Sequence, residues 1–268
     1  MERRCGRRRP RLRKSSHPII CLSSCTSTME NLRDIPKTYE EHLALGEHLD
    51  QHDGRRLQNC IEEIDRALFV LEGNYSGLRG IIAKFGQRET FVYFDVRNRD
   101  DLERYLLEIT RHIHNFVSAS MTLVDHSRRV MREYYESDDF LAEYEDRIGR
   151  EVGANGLTQF IQGLRNFTLH RSIPPIAAVL DLNAISHKLV LDRDALLLWD
   201  GWKAVAKQYL ADAIGDVDLA TVVDGYMEVI RSLHDWRYKR QCEIHRNIFE
   251  DYNRLSELYR QSKWSPNF

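Results

Sequence analysis

The residues best equipped for chemistry lie between Leu157 and Pro175, in the stretch LTQFIQGLRNFTLHRSIPP. Arg165 carries a permanently charged guanidinium that presents a planar fork of donors to an oxyanion. His170 carries an imidazole, the side chain suited to proton transfer near neutral pH. Asn166 is an amide that both donates and accepts. On a helix Asn166 and His170 are four residues apart and share a face, while Arg165 projects from the adjoining flank. Together they could neutralise charge and move protons without a bound ion. Arg171 adds a second cation beside the histidine. Pro174 and Pro175 remove two backbone donors and bias Ile173 away from the α region, so the helix must stop soon after His170. Its last turn then favours the cations that occupy it.

Such a group needs a rigid frame, and the strongest periodic signal in the chain supplies one. Leu102, Leu106, Ile109, Ile113, Phe116, Ser120, Leu123, Ser127, Val130 and Tyr134 alternate spacings of four and three, which predicts one long helix packed against others. Ser120 and Ser127 leave room for a neighbouring helix to approach. The flank of this helix carries His112, His114, Asn115, Asp125, His126, Arg128 and Arg129. Most of these read as the solvated side of an amphipathic helix; any that face the Arg165 helix would line a cleft with it. Ser137, Asp138 and Asp139 start a helix over Phe140 to Val152, and the motif helix begins near Leu157 after Gly153 and Gly156.

Elsewhere the pattern predicts a short helix around Tyr39, Leu43 and Leu45, and a second from Arg55 to Glu72. Gly73, Gly77, Gly80 and Gly86 then loosen the chain, with a brief extended segment over Phe91 to Val96. After the prolines, Ala178 to Leu182 and Lys188 to Asp192 read as a β-hairpin. Helical spacing resumes from Asp194 through Leu210, with Trp199 and Trp202 as core aromatics. A final helix follows Asp218 and reaches Lys263 on a thin apolar stripe, which suits docking along another helix or a partner. The expected fold is mainly α: a helical bundle built on a long antiparallel helix group, with a small β-hairpin insertion.

Arg-polar-x-x-x-His near a helix end in an all-helical chain resembles the motif of the HEPN superfamily, here RNFTLH at 165–170. The resemblance covers the motif and, loosely, the helices from about Asp101 to Pro175. It implies a metal-independent endoribonuclease acting as a homodimer that brings two motifs over one RNA strand, as in toxin and anti-phage systems. Arg165, Asn166 and His170 would then be catalytic and Arg171 substrate-binding. Attack by the 2′-hydroxyl would leave a 2′,3′-cyclic phosphate. An antitoxin is a possible partner, and no cofactor or metal is implied. The rival reading is a non-catalytic HEPN-like module for protein interaction or nucleotide binding. A second pair, Arg240 and His245, sits in a highly charged segment and reads as a solvated face; Arg11 and His17 form a looser third.

Composition narrows the remaining classes. The chain of 268 residues has 42% apolar residues, enough for a sizeable core, and arginine outnumbers lysine 31 to 8. The formal net charge of −2 hides a basic opening: residues 1–28 hold eight Lys or Arg and one acid. The remainder carries 31 basic and 40 acidic residues, net −9, which argues against a surface that coats nucleic acid broadly. Residues 1–28 read as a disordered tail or an extension upstream of a start at Met29. Residues 29–98 read as an N-terminal helical region, and 99–268 as the HEPN-like bundle. The five cysteines, Cys5, Cys21, Cys25, Cys60 and Cys242, give no disulfide framework or zinc spacing, and Cys21 and Cys25 with His17 lack further ligands nearby. A cytoplasmic location and no membrane association are expected. Phosphate-loop, dinucleotide, Cys-x-x-Cys, His-Glu-x-x-His and Gly-x-Ser-x-Gly signatures are all missing. The acidic pairs Asp138–Asp139 and Glu143–Glu145 suit helix first turns.

Overall fold

The computed structural model describes residues 35–136, 138–182 and 186–264. The basic segment 1–28, with Cys5, His17, Cys21 and Cys25, lies outside the described residues, as do Ser137 and most of the hairpin loop. In chain order the elements are α1 (Tyr39–Gln51), α2 (Asp53–Phe85), α3 (Arg99–Tyr135), α4 (Asp139–Ile148), α5 (Gly156–His170), β1 (Ile176–Asp181), β2 (Ser186–Leu191), α6 (Arg193–Leu197), α7 (Ala204–Asp212), β3 (Val217–Asp218), α8 (Leu219–Ile244) and α9 (Arg246–Gln261). The fold is mainly α with a small antiparallel sheet, as the periodicity predicts.

α3 follows its heptad seam. Ile109, Ile113, Phe116, Ser120, Leu123, Ser127 and Val130 are all buried. Towards the end Met131 and Tyr135 are buried while Tyr134 is only half-buried, because a straight helix of 3.6 residues per turn drifts away from a 3.5-residue repeat. α2 packs along α3, and both join α5 and α8 around a continuous core running from Leu57 to Ile230.

α2 departs from the expectation in one respect. It continues past Glu72 through Gly73, Gly77 and Gly80 to Phe85. A mid-helix glycine costs about 1 kcal/mol relative to alanine. Burial of Leu71, Leu78, Ile82 and Phe85 on the core side outweighs that cost. Gly77 has a positive reason to be glycine, since a Cβ there would meet the His112 ring at 3.3 Å.

The expected extended segment at 91–96 is instead a pair of 3-10 turns, Arg88–Phe94 and Val96–Asn98. Thr90 fixes the first. Its hydroxyl lies within hydrogen-bond distance of the Phe85 and Gln87 carbonyls and 2.6 Å from His187 Nε2 on β2. Phe85, Phe91 and Phe94 enclose the same imidazole, so ring packing curls the segment onto the sheet.

The hairpin forms as expected, with Ile176 opposite Leu191 and Asp181 opposite Ser186. A short third strand, β3, was not anticipated; it pairs Asp218 with Val190 and makes the order β1-β2-β3. The helix expected from Asp194 to Leu210 is two helices. Trp202 closes the break by donating its indole N–H to the Leu196 carbonyl at 2.7 Å. α4 likewise ends at Ile148 and gives way to a π turn over Gly149–Gly153. The final helix breaks at His245, whose ring stacks on Tyr135, and α9 folds back along α1 and α2.

Candidate functional site

α5 is anchored at both ends. Asn155 caps its first turn by accepting from the Thr158 amide at 3.2 Å, and Thr158 donates to the Val152 carbonyl at 2.5 Å. At the far end the amides of Arg171 and Ser172 both donate to the Phe167 carbonyl. One face, Phe160, Ile161, Leu164 and Phe167, is buried. Phe160 and Phe167 lie against Trp202 with ring centroids 5.5 and 5.9 Å apart. Gly163 permits that approach, for a Cβ there would sit 2.7 Å from the Trp202 ring.

With that face fixed, the adjoining flank of α5 turns towards α3. Arg165, Thr168 and Leu169 line a cleft of about 230 Å³ with His114, Val117, Ser118, Met121, Thr122 and Asp125. The spacings explain the partnership. Positions 165, 168 and 169 form one helical turn, and 114, 117, 118, 121, 122 and 125 form a three-turn stripe beside the core seam of α3. Of the polar flank of α3, His114 and Asp125 reach the cleft. Of the rest, His126 and Arg128 are exposed, whereas Arg129 pairs with Glu63 of α2 and with Glu133, and half-buried His112 sits beside Glu108 and against Gly77 of α2.

The electrostatics of the cleft are unusual for this molecule. Most arginines nearby are neutralised, Arg111 by Glu108 and Arg132 by Glu145. Arg165 is half-buried and, among the described residues, has no hydrogen-bond or ion-pair partner. His114 and Asp125 are likewise exposed and without partners among the described residues. Thr122 turns its hydroxyl proton back to the Ser118 carbonyl at 3.0 Å, leaving its oxygen free to accept. A half-buried guanidinium without a carboxylate is set up to take an anion.

The other residues singled out by the motif lie beside the cleft. Asn166 and His170 share the next face of α5 and are exposed, with His170 as the last residue of the helix; Arg171 is exposed just beyond it. The structure thus groups Arg165 with His114 and Asp125, and leaves His170 one residue past Leu169 at the cleft edge. Ser118, Met121, Thr122 and Thr168 were not picked out from sequence. Their signal is the helical stripe itself, which becomes legible only once the neighbour of that stripe is known.

Arg240 and His245, the second Arg-x4-His pair, do not converge. Arg240 is bound to Glu143 and Glu243, and His245 is half-buried with Nε2 3.2 Å from the Tyr135 hydroxyl. Among the described residues no three His, Cys, Asp or Glu come together as a metal-ligand group, and no helix is long and apolar enough to cross a membrane. No family model, curated protein or solved structure matches the chain.

Proposed function

We propose that the chain is a metal-independent endoribonuclease of the HEPN kind, with the α3–α5 cleft as its RNA-binding site. The observation that carries this reading is the half-buried Arg165 without a partner, lining a cleft beside an imidazole. RNA brings its own nucleophile. The 2′-hydroxyl attacks phosphorus, its proton passes to a base, and the 5′-oxygen leaves with a proton from an acid, giving a 2′,3′-cyclic phosphate and a 5′-hydroxyl. Arg165 donates its fork to the phosphate oxygens and offsets the charge that builds in the transition state. His170, exposed at the end of the same helix, moves the protons, and Asn166 on its face orients it or the strand. Arg171 takes a neighbouring phosphate. A second protomer supplies the matching motif across the strand.

Cleavage of total tRNA and mRNA in EDTA tests the reading. Arg165→Ala combined with His170→Ala is expected to lower the rate at least a hundredfold, since a positioned acid or base alone contributes about 10²–10⁴. Unchanged cleavage by the double variant contradicts the assignment. The position of His170 outside the cleft favours, as a second reading, a nucleotide-binding module without catalysis, which would bind RNA in EDTA and leave it whole.

A further inference from the structure

The cleft between α3 and α5 is lined by groups of both charges. Its α3 wall runs from His114 to Asp125, eleven residues or about 16 Å of helix axis, long enough for one nucleotide laid lengthwise. Arg165 and Asp125 both line it yet form no ion pair with each other. The cleft therefore holds a cation and an anion that do not neutralise each other. A ligand that completes both must carry an anion and, apart from it, hydrogen-bond donors. Met121 and Leu169, which also line the cleft, offer apolar surface for the face of a base, Met121 with a polarisable thioether.

We propose that the cleft binds one guanine nucleotide of the RNA, with the phosphate on Arg165 and the base edge on Asp125; this rests on the ribonuclease reading above. The choice of base follows from Asp125. An ionised carboxylate only accepts. Guanine presents two adjacent donors, N1–H and N2–H2, which match the two carboxylate oxygens. Adenine and cytosine place a ring acceptor beside their one amino group, and uracil flanks its one N–H with two carbonyls, so each sets lone pairs against the carboxylate. Asp125 is thereby the specificity-determining residue, while the negative charge it adds turns away ligands carrying phosphate at both ends.

The test is binding of GMP, AMP, CMP and UMP to the full chain in EDTA by calorimetry, alongside RNA cleavage by the same protein. GMP should bind roughly tenfold or more tightly than the others, in line with the discrimination of a paired hydrogen-bond contact. Asp125→Asn should abolish that preference and move it towards AMP and CMP, because an amide offers one donor and one acceptor. Asp125 is exposed on the surface of α3, so the variant keeps its fold, checked by an unchanged circular dichroism melt. Equal binding of the four nucleotides, no binding of any, or a GMP preference that survives Asp125→Asn overturns the proposal. RNA cleavage in EDTA without base preference in binding overturns the guanine assignment alone. GMP-selective binding without RNA cleavage overturns the ribonuclease reading alone.

Discussion

Arg165 and Arg237 are both drawn in from solvent, and they are treated in opposite ways. Arg237 is 2% exposed and tied down: it donates to Gln241 at 2.5 Å and contacts Asp65 and His234 at 3.3 and 3.2 Å. Arg165 has none of this, which is why it is the residue read as waiting for an anion. The cost of withdrawing a cation makes Asp65 important. Asp65→Asn should destabilise the fold by about 1.5–3 kcal/mol, the usual worth of a hydrogen bond to a charged group, read from the shift in urea midpoint. A midpoint that does not move would show that Arg237 is balanced elsewhere. His234, between Asp65 and Arg237 and next to Asp235, is held neutral: burial pushes its pKa below the ordinary 6.5, and Arg237 pushes the same way against Asp65. As pH falls through about 6.5 the unfolded chain takes up a proton that the folded chain refuses, so stability present above that pH is lost below it. His245 is shifted in the same direction by burial. Melting temperature should therefore fall from pH 7 to pH 5, before the lowered carboxylates such as Asp218 and Asp251 begin to titrate. His234→Gln should flatten part of that slope, and an equally steep slope in the variant would remove His234 as its cause.

At the scale of elements, the cleft depends on how closely α5 can seat against the α6–α7 corner. Gly156 lies under Tyr209, where a Cβ would come to 2.9 Å, and Gly163 lies under Trp202. Gly163→Ala forces the indole to shift and should cost about 1–3 kcal/mol by overpacking. Because α5 carries Arg165, RNA cleavage should fall with it; full stability and activity in the variant would mean that Trp202 yields freely. The helices that position the site were largely readable from spacing, because α3 and α5 each present one unbroken buried stripe. The breaks were not. Apolar spacing carries on through Trp202 and through His245 although the backbone turns there, since both rings keep packing on the core after the helix has stopped. Glycines misled in the other direction in α2, where burial on the far face holds the helix together. The hairpin was readable from its two β-branched runs, but the two-residue β3 is set by pairing with β2 and has no pattern of its own. The cleft was half legible: Arg165 stood out by type, whereas the choice of His114 and Asp125 among seven polar flank residues depends on how α3 docks against α5.

Across the whole molecule, the far ends of the described chain close on each other. His42 of α1 stacks on Tyr259 of α9 at 4.2 Å, the Ser262 hydroxyl meets His42 Nδ1 at 2.6 Å, and His52 pairs with Asp251. This clasp fixes α1 and α9 against α2, which packs along α3, one wall of the cleft. Net −9 over residues 29–268 gives this part of the chain no broad positive field for the proposed RNA substrate. On the proposed reading binding comes from few contacts, and Arg165 in the cleft should dominate it. The most direct measurement of the account is single-turnover RNA cleavage in EDTA by the full chain and by Arg165→Ala, with the 3′ ends of the products identified. The account predicts 2′,3′-cyclic phosphate ends from the unsubstituted protein and a rate at least a hundredfold lower from the variant, about 2.7 kcal/mol of lost transition-state stabilisation. Cleavage at the same rate by Arg165→Ala, or products without cyclic phosphate, would contradict it.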